Sequence, residues 1–307
     1  MSEKYANRSA RARSPADDET DLRSLLESPC EYERQDAALA LVDRAESEGL
    51  DPETANALAE RLAEDESEDV RQFAVEALGV AGGEATGNDA TEGAETAIRA
   101  ALGDDEEWVR AEAVVALSRV APGADVLADA LGDDSGWVRR NAVIALGKTE
   151  RATAEELADR IKNDPHPAVR EYAALYLGKR ADDAGTGAEE AVRLLAAVLA
   201  RDPEAFVRAK AAESLGDLAT DRAEQALETH GVTDRSDDVK RTVKRALASA
   251  RGVDPDQLDV EIDDGPPGGG PQAPGETPGG GPGDGPGGTP DGPGPSGGQI
   301  PGDPTQR

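Results

Sequence analysis

Asp133-Asp134-Ser135-Gly136-Trp137-Val138-Arg139-Arg140-Asn141-Ala142-Val143-Ile144-Ala145-Leu146-Gly147 is the clearest copy of a frame reading Asp-x4-Val-Arg-x2-Ala-x2-Ala-Leu-Gly. At 3.6 residues per turn, Val138, Ala142, Ala145 and Leu146 share one helix face. The frame recurs with Val70, Val109, Val169, Val207 and Val239, led by Asp65, Asp104, Asp164, Asp202 and Asp234, and a degenerate copy stands at Glu33-Arg34. Successive copies lie 29 to 39 residues apart, the spacing of a helical solenoid. Gly79, Gly147, Gly178 and Gly216 read as left-handed stops at four helix ends, with Ser118 and Ala248 departing from the pattern.

A second, shorter amphipathic stretch precedes each copy, such as Ala94-Ala97-Ile98-Ala101-Leu102 or Val192-Leu195-Val198-Leu199. Each repeat is therefore expected to be a helix pair, and about seven pairs make an all-α solenoid. Strand signals are almost absent from residues 20–250.

These residues resemble the HEAT-like repeats first described in phycobilin lyases, over residues 22–250. The resemblance implies that the Asp and Arg positions brace the scaffold, each Arg bonding to the turn of its own or a neighbouring unit. Arg71, Arg110, Arg139, Arg170, Arg208 and Lys240 would then stand opposite Asp65, Asp104, Asp133, Asp164, Asp202 and Asp234.

Around the solenoid, residues 1–20 and the Gly/Pro-rich segment 265–307 read as disordered, with 251–264 an acidic linker. Gly and Pro fill 29 of the 43 positions from Gly265 without a three-residue period, which excludes collagen. In the linker, Leu258, Val260 and Ile262 alternate with acids; the stretch reads either as a solvated linker touching the last repeat or as a strand to be added to a partner's sheet. Gly82–Gly93 and Ala181–Gly187 read as exposed loop insertions.

Lys and Arg number 33 against 64 Asp and Glu, a net charge of −31. That balance, with few aromatics, resembles the habit of haloarchaeal proteins. At molar salt the Debye length is about 3 Å, so global charge serves solubility more than steering. No basic face of the size a phosphate backbone requires is present, which argues against nucleic acid. The N-terminus lacks a signal-peptide core and no run approaches a membrane span, so a cytoplasmic location without membrane insertion is expected.

Neither His166 nor His230 belongs to a metal-spaced cluster, and Cys30 is the single cysteine. HEAT-like di-iron hydroxylases use repeated His-Glu pairs, and no His here precedes Glu. The expectation is a protein without cofactor or enzymatic activity that binds other proteins along a face of roughly 70 Å, at about 10 Å per repeat.

Candidate contacts are the positions at which the repeats disagree. One residue before the Val stand Trp108, Trp137 and Phe206; three after it, Asn141, Tyr172 and Lys210; six after it, Val115, Ile144 and Leu175. The last row reads either as deeper burial of central repeats or as an apolar patch beside two Trp. Lys240, Arg241, Lys244 and Arg245 read either as the solvated face of a capping helix or as a dock for an acidic partner. The resemblance and the composition together imply an adaptor of the kind haloarchaea use in taxis, between a chemotaxis response regulator and archaellum accessory proteins. A bilin lyase and a general assembly scaffold are the alternatives.

Overall fold

The computed structural model describes residues 18–84, 89–184 and 187–258, which belong to one compact unit spanning Met1–Gly265. They form fourteen α-helices and no strand. The pairs are α1 (Glu19–Leu25) with α2 (Glu31–Ser47), α3 (Pro52–Glu64) with α4 (Glu68–Glu84), α5 (Asp89–Ala101) with α6 (Glu107–Val120), and α7 (Val126–Asp129) with α8 (Gly136–Lys148). They continue with α9 (Ala154–Asn163) and α10 (Pro167–Ala184), α11 (Ala188–Arg201) and α12 (Ala205–Leu218), and α13 (Asp221–Ala226) and α14 (Asp237–Arg251). This is the all-α solenoid of seven helix pairs that the repeat spacing predicts.

The even-numbered helices carry the frame and pack against one another in chain order, forming one layer; the odd-numbered helices form the other. That position explains their composition. An even helix touches its own odd partner and an even helix on each side, so its apolar residues spread beyond one stripe: α6 buries Val109, Ala111, Ala113, Val114, Ala116 and Leu117. The odd helix α9 covers only one side and buries only Leu157 and Ile161. One hydrophobic core runs without a break from Leu22 to Leu247.

Helix starts follow ordinary capping chemistry. Asp51 accepts from Thr54 N, and Thr153 and Glu156 form a capping box at α9. Where the interval between frames is shortest, from Val109 to Val138, the odd helix has least room. It shrinks to the four residues of α7 and a 3₁₀ turn at Ala130–Gly132. In the last pair, α13 continues into a π turn at Leu227–Gly231.

Two expectations are corrected. Gly79, Gly147 and Gly216 lie within their helices, as does Gly178, and none has a positive φ. Their role is close approach. A Cβ on Gly79 would stand 2.5 Å from Ala116 Cβ, and one on Gly147 would stand 2.3 Å from the Tyr176 ring. Among the described residues the left-handed positions are Gly49, Glu150, Ala219 and Gly252, with Ala219 capping α12 at φ 46° and Gly252 capping α14 at φ 63°. The insertions are not simply loops either: α4 runs on through Glu84, α5 begins at Asp89, and α10 continues through Ala184. Gly82 approaches Val120, where a Cβ would stand 2.8 Å from the side chain, and Ala181 is buried.

Leu258, the last described residue, packs partly buried against the core. The expectations for residues 1–17 and 259–307 fall outside the described residues.

Candidate interaction surface

The frame's Arg and Asp join consecutive repeats. Arg139 Nε and Nη2 donate to both carboxylate oxygens of Asp164, each at 2.8 Å, while its Nη1 donates to the carbonyls of Asp133 and Asp134 in its own turn. The same fork joins Arg71 to Asp104, Arg110 to Asp133, Arg170 to Asp202 and Arg208 to Asp234. Each Asp also accepts the backbone N–H two residues on, as from His166 to Asp164 at 2.9 Å. Burial alone would push these carboxyls up. The guanidinium and the backbone N–H outweigh it, so Asp65, Asp104, Asp133, Asp164 and Asp234 lie below the usual carboxylate range.

The ladder starts one rung earlier than the regular frames suggest and ends one rung sooner. Arg34, in the degenerate copy, donates to Asp65 at 2.6 and 2.9 Å. Lys240 instead pairs with Asp237 on its own helix at 2.6 Å, because no further repeat follows α14 among the described residues. With Nε, Nη1 and Nη2 of each of these Arg engaged on its own and the neighbouring turn, the regular positions set the register of the repeats.

The irregular positions meet elsewhere. Offsets of −1, +3 and +6 from the Val are four and three residues apart, so they share one face of an even helix. On α6, α8, α10 and α12 all three are half-buried or exposed, whereas at +3 Phe73 of α4 and Thr242 of α14 are buried. Trp108, Trp137 and Phe206 are 46%, 38% and 44% exposed, large values for such side chains. The two Trp rings lie 5.7 Å apart, and Trp137 meets the His166 ring edge-on at 4.8 Å. Further along the face, Arg140 lies over the Tyr172 ring and donates to its hydroxyl at 3.2 Å. Asn141 Nδ2 donates to the Ala111 carbonyl at 2.8 Å. Val115, Ile144 and Leu175 are half-buried, with Ile144 and Leu175 resting on the core beneath.

One aromatic escapes the reading of the regular frames. Tyr32, 72% exposed, occupies the −1 position of the degenerate first copy. Extending the alignment to Glu33-Arg34 places it in the same row as the two Trp.

The face changes character along the chain. At its N-terminal end, burial and then repulsion from Glu76 push the Glu112 carboxyl up to about 7, against the pull of Arg119. Glu76 is itself raised, by burial first, with Glu46 and Asp43 adding to it and Arg119 opposing. At the C-terminal end the cations are largely committed within the molecule. Arg241 pairs with Asp238, Arg245 Nη2 donates to Thr242 Oγ1 at 3.1 Å, and Arg251 reaches Glu224 and Glu228. Lys210 pairs with Glu213 at 2.5 Å. Among the described residues, no three His, Cys, Asp or Glu side chains converge as metal ligands. No helix among them is long and apolar enough to cross a membrane.

Stacked helix pairs braced by an Arg–Asp ladder define a class of repeat protein. The HEAT-repeat model matches residues 55–147 and 154–248, and the chain belongs to that family. Among solved structures, the chain is similar to Escherichia coli YibA, with 18% identity over 76% of this chain and 82% of that one and a TM-score of 0.55. An engineered protein matches at 20% identity, over 76% and 68% of the two chains, with a TM-score of 0.46. Human deoxyhypusine hydroxylase matches at 22% identity, over 76% and 84%, with a TM-score of 0.36. The likeness to YibA is one of fold. No curated protein matches the sequence significantly.

Proposed function

We propose that the chain is a non-enzymatic adaptor that binds other proteins on the outward face of its even-numbered helices, centred on repeats three to six. The observation that carries this reading is the row of half-exposed aromatics, Trp108, Trp137 and Phe206, on a chain whose residues are only 3% aromatic. Aromatics that remain half-exposed in register, Trp108 and Trp137 on adjacent even helices and Phe206 two even helices on, beside half-buried Val115, Ile144 and Leu175, are the composition of an interface centre. An apolar centre also keeps its affinity at salt concentrations that screen exposed ion pairs.

The finer proposal is an adaptor in taxis, working in the cytoplasm and joining a chemotaxis response regulator to archaellum accessory proteins. Its support is the family resemblance and the salt-adapted composition. Affinity capture at the native salt, comparing the wild type with Trp108→Ala plus Trp137→Ala, tests both levels. Recovery of those partners by the wild type and their loss from the folded double variant is the expected outcome. Partners that stay bound to the variant would place the binding surface elsewhere.

A further inference from the structure

Helical spacing places Asp43 and Glu46 of α2, Glu76 of α4 and Glu112 of α6 on the face that carries the −1, +3 and +6 rows, on three helices that pack side by side. Arg119 is the cation that bears on both Glu76 and Glu112. This acidic set is continuous with the apolar strip, because Glu112 lies on the same helix and face as Trp108 and Val115. The imbalance extends through this half of the molecule. Residues 18–120 hold 28 Asp and Glu against 8 Lys and Arg, whereas residues 121–251 hold 24 against 20. Of those 8 cations, Arg34, Arg71 and Arg110 are spent in the ladder.

We propose that the segment docking on this face is basic: it lays apolar residues on Trp108, Trp137 and Ile144 and directs a Lys or Arg between Glu76 and Glu112. This rests on the adaptor reading and adds the chemistry of the partner. Glu76 raises the Glu112 carboxyl, and Glu46 and Asp43 raise Glu76, so a cation entering this partly desolvated row gains from more than one carboxylate. A partner with a carboxylate there would add a third negative charge. The partly buried pair is screened by salt less than surface pairs are.

The experiment uses the full chain in molar KCl and two synthetic amphipathic peptides of about 18 residues, five helical turns, one of Leu and Lys and the other of Leu and Glu. Trp108 and Trp137 are the protein's only tryptophans, so fluorescence excited selectively at tryptophan, beyond the absorption of the four tyrosines, reports this face. The Leu/Lys peptide is expected to shift the emission and bind at least tenfold more tightly than the Leu/Glu peptide. Glu76→Gln with Glu112→Gln should weaken it by roughly tenfold. The charge-matched control Glu60→Gln with Glu155→Gln, on exposed sites of the odd helices α3 and α9, should leave it unchanged.

Equal binding of the two peptides, or an equal loss in the control, overturns the inference. The two levels separate cleanly. If native partners are lost with the Trp substitutions while neither peptide is preferred, the adaptor reading stands and the basic partner falls. If the Leu/Lys peptide depends on Glu76 and Glu112 while native partners ignore the Trp substitutions, the placement of the adaptor's native partners on this face falls and the surface chemistry stands.

Discussion

Arg139 and Asp164 show what a single residue contributes to this fold. Their side chains are 10% and 0% exposed, and each satisfies partners in two repeats. Removing one charge strands the other. Arg139→Met should therefore cost about 3–5 kcal/mol in denaturant unfolding. Adding Asp164→Asn should recover part of that loss, since the amide oxygen still accepts from His166 N; no recovery in the double-mutant cycle would show that the pair is not coupled. Glu112 acts with the opposite sign. Its folded pKa of about 7 exceeds the ordinary 4.5, so the native state holds the proton more tightly and loses stability as pH rises from about 4.5 to about 7. Glu112→Gln removes that loss and should raise the melting temperature by roughly a few degrees at pH 8 and by less at pH 5. An equal shift at both values would mean that Glu112 titrates normally.

At the scale of helices, the informative positions are those where two even helices nearly touch. An interior Gly costs a helix about 1 kcal/mol relative to Ala, so Gly147→Ala would be stabilising on propensity alone. Here the added methyl would stand 2.3 Å from the Tyr176 ring, and overpacking outweighs propensity. A net loss of about 1–3 kcal/mol is expected, with Gly132→Ala as the control, because nothing lies within 4 Å of its Cβ position. If Gly147→Ala stabilises the protein, the helix spacing described here is too tight. The Gly positions were visible in the repeat, but their purpose was not. A Gly near the end of an apolar period looks the same whether the helix stops or a neighbouring helix presses on it.

The whole molecule responds through the ladder's repetition. The depressed Asp carboxyls contribute stability that is complete above their ordinary 3.8 and is lost as pH falls through their lower folded values. Since the rungs run from Arg34–Asp65 to Arg208–Asp234, acid should unfold the repeats together below about pH 4, in one transition by circular dichroism. Stepwise loss would show that the repeats unfold independently. Ending the chain after Asp264 should leave the thermal transition cooperative, because the continuous core closes at Leu247. A broadened transition would place part of the folding unit beyond that point.

By itself the sequence determined the class of fold and the number of helix pairs. Both follow from the period of apolar residues and the interval between copies of one frame, and a repeat makes each copy a check on the others. The positions proposed as contacts stand out for the same reason, as departures from that frame, and Tyr32 was missed because its copy had lost the Val. Only the tertiary structure decided which Arg meets which Asp, why the Gly are needed, and that Glu76 on one helix raises the Glu112 carboxyl on the next. Those facts depend on distances between residues more than twenty positions apart. Such distances are set by how closely one helix pair packs on the next, which the period within a helix does not encode.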